Sequence, residues 1–128
     1  MSGSEVDEYV AFIKKNCKVF FSVEEWASYI KSKDFSVGTR FHGNLIALLN
    51  GVPAVIFVHD SRTTEMCNFM KIPHFGLDSC LLENIPKLYQ DVSYDEFSRN
   101  SSQLYHSYCN FLTENRVPHN LMQSVEAT

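Results

Sequence analysis

Residues 35–58, FSVGTRFHGNLIALLNGVPAVIFV, contain two short apolar runs with a helical segment between them. The first run, 35–38, predicts a short strand. The segment 42–50 predicts a helix that Gly51 ends as a left-handed cap. The second run, 54–58, is apolar without alternation, which is typical of a strand buried on both faces of a parallel sheet. The stretch therefore predicts a strand–helix–strand unit.

Further elements are predicted on both sides of this unit. Predicted helices cover residues 6–16, 22–33, 62–71, 79–88 and 93–115, with another strand at 18–21 and a weaker strand signal after residue 71. The third residue after Ser22 and after Ser93 is a glutamate, which is the pattern of a capping box at a helix start. Pro86 predicts a break in the helix that contains it.

The order of these elements predicts the fold class, because strands that alternate with helices form parallel sheets. We expect an α/β protein, a single Rossmann-like three-layer domain with a short parallel sheet of three or four strands. Residues 1–5 are predicted to be a disordered tail, 6–116 the domain and 117–128 a carboxyl-terminal tail.

Composition and charge exclude several classes of protein. The 128 residues are 45% hydrophobic with a net charge of −4, so one globular domain is expected and no basic field recruits nucleic acid. No apolar run approaches the roughly 20 residues that a membrane span needs. The four cysteines form no CxxC pair and no zinc spacing, which predicts reduced structural thiols, no metal site and a cytoplasmic location.

Large aromatic side chains are needed to cover so thin a sheet, and four are predicted to lie in the core. They are Phe20, Phe21, Trp26 and Phe35.

Two polar loops follow predicted strands, where ligands bind in open α/β sheets. The loops are residues 38–43 and 59–65, and both should open on one rim of the sheet. In the first loop, two glycines permit close approach of the backbone, and the next helix offers free amides to an anion. Arg40 adds a planar fork of donors, and His42 can carry a proton near neutral pH. The pattern indicates an anion site.

The charge near these loops is positive although the whole chain is acidic. Between residues 37 and 75 the charged side chains are Arg40, Arg62, Lys71, Asp60 and Glu65, three cations against two anions. A simpler interpretation is also open: Arg40 could pair with Asp60 or Glu65, and His42 could cap its own helix. The residues alone do not decide between these interpretations.

The stretch VGTRFHGNLIALLNGVPAVIFVHDSRTTEMCNFMKIPHF, within residues 26–75, resembles the polysaccharide pyruvyl transferase family. The likeness lies in the Gly-Thr-Arg-x-His-Gly segment at 38–43, the small residue Ala47, the Gly-x-Pro turn at 51–53 and the strand 54–58. Residues before 20 and after about 80 resemble the family only in their pattern of elements.

This resemblance implies an activity and a fold. Such enzymes transfer a pyruvyl group from phosphoenolpyruvate to sugar hydroxyls of surface polysaccharides. Their fold resembles the B-type glycosyltransferases, which have two Rossmann-like halves around a cleft. The resemblance implies that this chain corresponds to the carboxyl-terminal, donor-binding half of such an enzyme and lacks the acceptor-binding half, so activity of the chain alone is not expected.

The resemblance also implies roles for individual residues. Arg40 and His42 would contact phosphoenolpyruvate, with His42 as the catalytic proton donor or a phosphate ligand. We interpret Gly43 and Asn44 as sources of amide donors and Arg62 as a second cation for the anion. No cofactor is assigned, because phosphoenolpyruvate enters as the donor substrate.

Other functions stay open at this level. One alternative is a non-catalytic Rossmann-like assembly or binding module that works with a missing amino-terminal domain or as a homodimer. The homodimer would use the apolar stripe of the last helix, which consists of Leu104, Tyr105, Tyr108, Phe111 and Leu112. A third hypothesis is a small flavodoxin-like protein that binds a phosphate ligand, but the sequence has no Gly-rich nucleotide loop.

Overall fold

The computed structural model describes residues 3–79 and 82–121. These residues form six α-helices, three strands and two short 3-10 turns, at Leu77–Ser79 and Leu82–Asn84. The elements are α1 Gly3–Asn16, α2 Val23–Ile30, β1 Ser36–Gly38, α3 Phe41–Leu49, β2 Ala54–Val58, α4 Ser61–Met70, β3 His74–Gly76, α5 Ile85–Asp91 and α6 Asp95–Glu114.

The three strands form one parallel sheet in the order β1-β2-β3. Ser36 pairs with Ala54 on one side of β2, and Ile56 pairs with His74 on the other. The central strand is buried from Ala54 to Phe57, as its continuous apolar sequence predicts. The α/β fold and the three-stranded parallel sheet are thus confirmed.

Helices cover both faces of the sheet. On one face, Ile56 packs with Cys67 of α4 and Phe97 of α6, and α3 adds partly buried leucines to the same cluster. On the other face, Phe57 and Phe75 have ring centroids 6.5 Å apart and line a cavity together with Leu88 of α5. The helix α5, which lines this cavity, has only seven residues, so this side of the core is thinly covered.

Local signals set several element boundaries. Ser22 Oγ accepts a hydrogen bond from the Glu25 amide at 3.1 Å, as expected for a capping box. Gly51 takes a positive φ of 77° directly after α3, so its prediction as a left-handed cap is confirmed. Ser93 instead bonds the Asp95 amide at 3.3 Å, and α6 begins at Asp95 with Tyr94 as its cap residue. The second capping box therefore does not form.

Three predicted elements differ from the structure. Residues 18–21 form no strand and are not part of the sheet that β1, β2 and β3 build in the described part of the chain. Pro86 does not break a helix; it occupies the first turn of α5, where its missing N–H costs nothing. The helix α1 begins at Gly3, so residues 3–5 belong to it rather than to a tail, while residues 117–121 contain no helix or strand.

The predicted core and the predicted thiols are only partly correct. Phe21 is 96% exposed, so its assignment to the core is wrong. Cys67 and Cys109 are buried and free, and burial raises the pKa of the Cys67 thiol to about 11. Cys17 is exposed instead of packed, and Cys80 lies outside the described residues. Among the residues that the structure describes, no helix is both long and apolar enough to cross a bilayer.

Candidate functional site

The two polar loops that follow β1 and β2 line one groove of about 610 Å³. This size falls within the range of small-molecule sites. Its lining residues are Trp26, Thr39, Arg40, Phe41, His42, Gly43, His59, Asp60, Arg62, Thr63 and Met66. Because β1 and β2 are parallel neighbours, their carboxyl ends meet at one rim of the sheet, and the loops open there together.

The helix α3 begins at this rim without a side-chain cap. Arg40 is its N-cap residue, with an extended backbone (φ −89°, ψ 119°) and no capping hydrogen bond from its own side chain. The first N–H groups of an α-helix have no partner within the helix, so those of Phe41, His42 and Gly43 remain as donors at the groove. The helix dipole adds partial positive charge at the same place.

Asn44 holds the loop between β1 and α3 in position. Its side chain is buried, at 3% exposed; Nδ2 donates to the Arg40 carbonyl at 2.8 Å, and Oδ1 accepts from Ser36 Oγ at 2.8 Å. A longer contact of 3.4 Å reaches the Gly38 carbonyl. The Asn44 amide donates to the Arg40 carbonyl within α3. The structure therefore places Asn44 behind the groove, where it fixes the backbone of Arg40.

The side chain of Arg40 is exposed at the groove rather than buried in the apolar junction. No carboxylate of the described residues pairs with it, and Asp60 of the neighbouring loop lies 3.4 Å from His59 instead. His42, in the first turn of α3, does not cap that helix and instead meets the Phe41 ring edge-on at 5.6 Å. The two simpler roles considered for Arg40 and His42 are thus not what the structure shows.

The second loop contributes the cation Arg62, and the nearby carboxylate of Asp60 already has other partners. Asp60 caps α4 by accepting the Thr63 amide at 2.6 Å, and its other oxygen lies 3.4 Å from His59 Nε2. Hydrogen bonds from Thr63, helped by His59 and Arg62, hold the pKa of the Asp60 carboxyl below its ordinary value. Arg62 is exposed and lines the groove with Arg40, so two guanidinium groups face one carboxylate there.

An apolar wall completes the groove, and sequence reasoning did not assign it there. Trp26 of α2 is half-buried and stacks on Phe20, with ring centroids 6.4 Å apart. It lines the groove together with Phe41 and Met66. A Cβ atom placed on Gly43 would lie 3.8 Å from Trp26 Cζ2, an ordinary van der Waals distance, so the indole lies beside the first turn of α3. Only the packing of α2 on α3 brings Trp26 to this rim.

A groove of about 560 Å³ at the other end of α4 is a weaker candidate. It is lined by Lys71 and Arg99 but also by Asp95 and Glu96, so cations and anions are balanced. It also lies beside Ile72, which precedes β3, and is therefore at the amino end of a strand. Ligands in α/β folds bind at the carboxyl ends.

The parallel three-stranded sheet with helices on both faces defines a Rossmann-like domain. The groove at the carboxyl ends of β1 and β2 is lined by Arg40 and Arg62. The sequence model of the polysaccharide pyruvyl transferase family matches residues 2–61. This part of the chain is therefore polysaccharide pyruvyl transferase-like, and the resemblance found at residues 38–58 is confirmed. The comparisons with curated proteins and with solved structures returned no match.

The extent of the family match differs from the resemblance described from the sequence. The match begins at residue 2 instead of 26 and ends at 61 instead of 75. It lies in the amino-terminal part of this chain and not in its carboxyl-terminal half. Arg40, His42, Gly43 and Asn44 lie inside the match, and Arg62 follows directly after it. The correspondence to the donor-binding half of the family stays a prediction.

The lowered pKa of Asp60 predicts a pH-dependent contribution to stability. A carboxyl whose pKa is lower in the folded chain stabilises the fold above its unfolded value of 3.8, and this stabilisation is lost as pH falls through the folded pKa. Asp60→Asn keeps a capping oxygen but cannot titrate. Urea midpoints measured at decreasing pH should therefore fall more steeply below pH 4 in the wild type than in Asp60→Asn. Parallel curves would contradict the assignment, and Asp60→Ala, which removes the cap, should be less stable at every pH.

Proposed function

We propose that the groove binds phosphoenolpyruvate, as the donor site of a polysaccharide pyruvyl transferase-like protein. The observation that carries the proposal is the convergence of Arg40 and Arg62 with the open amino end of α3 at the carboxyl ends of β1 and β2. Phosphoenolpyruvate carries a carboxylate and a phosphate on three carbons, and two guanidinium groups with free amides suit such a dianionic head.

Each residue has a role in this proposal. Arg40 forms paired hydrogen bonds with the carboxylate or phosphate, and Arg62 neutralises the remaining charge. The Gly43 amide contacts phosphate oxygens at the helix end. Asn44 is a positioning residue, because its side chain holds the backbone of Arg40. In this role assignment, His42 gives a proton to phosphoenolpyruvate or to the departing phosphate.

The chemistry of transfer sets what these residues must do. A proton adds to the methylene carbon of the donor, and one sugar hydroxyl attacks the neighbouring carbon while losing its own proton. A second hydroxyl then displaces inorganic phosphate, which leaves a ketal on the sugar of a surface polysaccharide. A positioned acid contributes about 10²–10⁴-fold to such a step. The groove is assigned to the donor only, so we expect binding without turnover by this chain alone, in a reducing, cytoplasmic setting.

Calorimetric titration with phosphoenolpyruvate tests this proposal. We expect saturable binding that Arg40→Ala weakens about tenfold to a hundredfold, because a hydrogen bond between charged groups contributes about 1.5–3 kcal/mol. Arg62→Ala should weaken binding less. Arg99→Ala is the matched control, since it removes the same charge from the groove at the other end of α4.

The possible results separate the interpretations. Loss of binding in Arg40→Ala but not in Arg99→Ala supports the donor site. Equal losses in both variants would indicate a general effect of charge, and an absence of binding in the wild type at millimolar donor would contradict the proposal. Inorganic phosphate and pyruvate as separate ligands identify which end of the donor Arg40 contacts.

A non-catalytic assembly module is the second candidate function. The observation that favours it is the exposure of apolar side chains on α1, which buries none of its residues. Anion binding and assembly do not exclude each other, because α1 does not line the groove.

A further inference from the structure

The groove at the carboxyl ends of β1 and β2 is larger than the proposed donor needs. Its volume is about 610 Å³. Phosphoenolpyruvate has about ten non-hydrogen atoms, and at the roughly 30 Å³ that a water molecule takes in the liquid they fill about 300 Å³. About half of the groove therefore remains for a second molecule of similar size.

Charged and apolar side chains both line this groove. Arg40 and Arg62 are its cations, and the proposed donor accounts for them. Trp26, Phe41 and Met66 form an apolar wall, and all three are half-buried. An apolar lining with a few fixed polar groups is typical of small-molecule sites. The head of phosphoenolpyruvate leaves this wall without an assigned ligand.

The ring of Trp26 is held in place from two sides. Phe20 stacks on it with an interplanar angle of 8°. The Cζ2 edge of the indole lies beside Gly43, 3.8 Å from the position that a Cβ atom would take there. A ring that is fixed before binding loses little conformational freedom when a ligand packs on it.

Two neutral hydrogen-bonding groups of the groove lining have no partner among the described residues. They are the indole N–H of Trp26 and the hydroxyl of Thr39. Neither is a buried polar atom without a partner, so both are open to solvent. A tryptophan N–H that becomes buried usually finds an acceptor, and a ligand that covers the wall must therefore supply one.

A sugar ring combines the properties that this wall requires. Its faces carry C–H groups, which pack on an indole by dispersion, and its edge carries neutral hydroxyls. A purely apolar ligand would bury the Trp26 N–H and the Thr39 hydroxyl without partners, which costs free energy. An anionic ligand is better placed beside the guanidinium groups of the same groove.

We propose that the apolar wall holds one neutral sugar ring of the acceptor, next to phosphoenolpyruvate in the same groove. This inference rests on the proposed function and extends the occupancy of the groove from the donor to its acceptor. The ring packs on Trp26, and its hydroxyls form hydrogen bonds with the indole N–H and with the hydroxyl of Thr39. One wall offers few contacts, so we expect a dissociation constant on the order of millimolar.

Nuclear magnetic resonance of the full chain tests this proposal directly. Trp26 is the only tryptophan, so its indole N–H gives one separate peak in the proton–nitrogen correlation spectrum of the isotope-labelled protein. The probes are the methyl glycosides of glucose, galactose and mannose, each titrated with and without phosphoenolpyruvate. We expect at least one of them to shift the indole peak saturably. Glycerol at the same concentration of hydroxyl groups is the control and should cause no saturable shift.

Three variants locate the sugar, with the Gly43 amide peak as the common reporter. Thr39→Val keeps the shape of the side chain but removes the hydroxyl, so sugar binding should weaken about twofold to tenfold. Trp26→Phe keeps a ring beside Phe20 but removes the indole N–H, and should weaken sugar binding about fivefold or more. Both variants should bind phosphoenolpyruvate like the wild type. Phe21→Ala removes an exposed ring that does not line the groove and should leave sugar binding unchanged.

The outcomes separate this inference from the proposed function. Binding of phosphoenolpyruvate without any saturable effect of the sugars would overturn the inference and leave the donor site standing. A sugar that displaces phosphoenolpyruvate would also overturn it, because the two would then compete for one place. Sugar binding in a chain that does not bind phosphoenolpyruvate would support the sugar site and contradict the donor. Bases also stack on aromatic rings, so uridine or adenosine binding more tightly than every sugar would overturn the inference.

Discussion

Asn44→Ala should lower the free energy of unfolding by about 2–4 kcal/mol and weaken anion binding in the same variant. Asn44 is buried, and its removal leaves Ser36 Oγ without its acceptor and the Arg40 carbonyl without its shortest donor. A buried polar group left unpaired costs about 1–3 kcal/mol, and more than one group is affected here. The loop that carries Arg40 also loses the bond that sets its position.

Asn50→Ala is the matched control for this prediction. The Asn50 side chain also donates to a carbonyl of α3, that of Ile46 at 2.7 Å, but the bond is local to the end of the helix. Its loss should cost about 1 kcal/mol or less and leave anion binding unchanged. Urea unfolding and the phosphoenolpyruvate titration measure both effects. Equal midpoints for the two variants would show that Asn44 is not the positioning residue inferred from its contacts.

Phe57→Ala should destabilise the domain by about 3–5 kcal/mol, the largest effect expected of any substitution considered. Phe57 is 1% exposed in the central strand and packs on Phe75 beneath the short helix α5. Small domains have a total stability of about 5–15 kcal/mol, so this loss leaves part of the population unfolded. The thin cover of this face offers few side chains that could fill the cavity.

Phe21→Ala is the control, since the same group is removed from a side chain that is 96% exposed. Its effect should stay within about 0.5 kcal/mol. Where Phe57→Ala is too unfolded for a full transition, Phe57→Leu gives a smaller loss that chemical denaturation can resolve. A Phe57→Leu midpoint equal to that of the wild type would mean that this face of the sheet contributes little to stability.

The βαβ unit could be predicted from the sequence because its signals are local. The apolar strand 54–58 and the cap at Gly51 each depend on residues close in the chain, and the structure reproduces both. The run 18–21 has a similar apolar content but forms no strand. A strand needs a neighbouring backbone for its hydrogen bonds, and nothing within a short segment reveals whether one is present.

The candidate site, too, could be predicted from the sequence only in part. The positions of Arg40 and Arg62 on one rim follow from the order of strands and loops, because parallel strands align their carboxyl ends. The sequence could not distinguish an arginine paired with Asp60 from an arginine left open. In the structure, Asp60 accepts a hydrogen bond of 2.6 Å from the Thr63 amide and so caps α4 instead of pairing with Arg40.

The sequence by itself determined the α/β class, the central buried strand and the resemblance to polysaccharide pyruvyl transferases. Each of these depends on periodicity, turn residues or motifs within short stretches of the chain. Tertiary structure alone decided that Trp26 lines the groove, that Asn44 lies behind it, and that no residue of α1 is fully buried among the residues that the structure describes. These outcomes depend on which helix packs against which surface. That choice is made by contacts between residues distant in the sequence, where no local pattern records it.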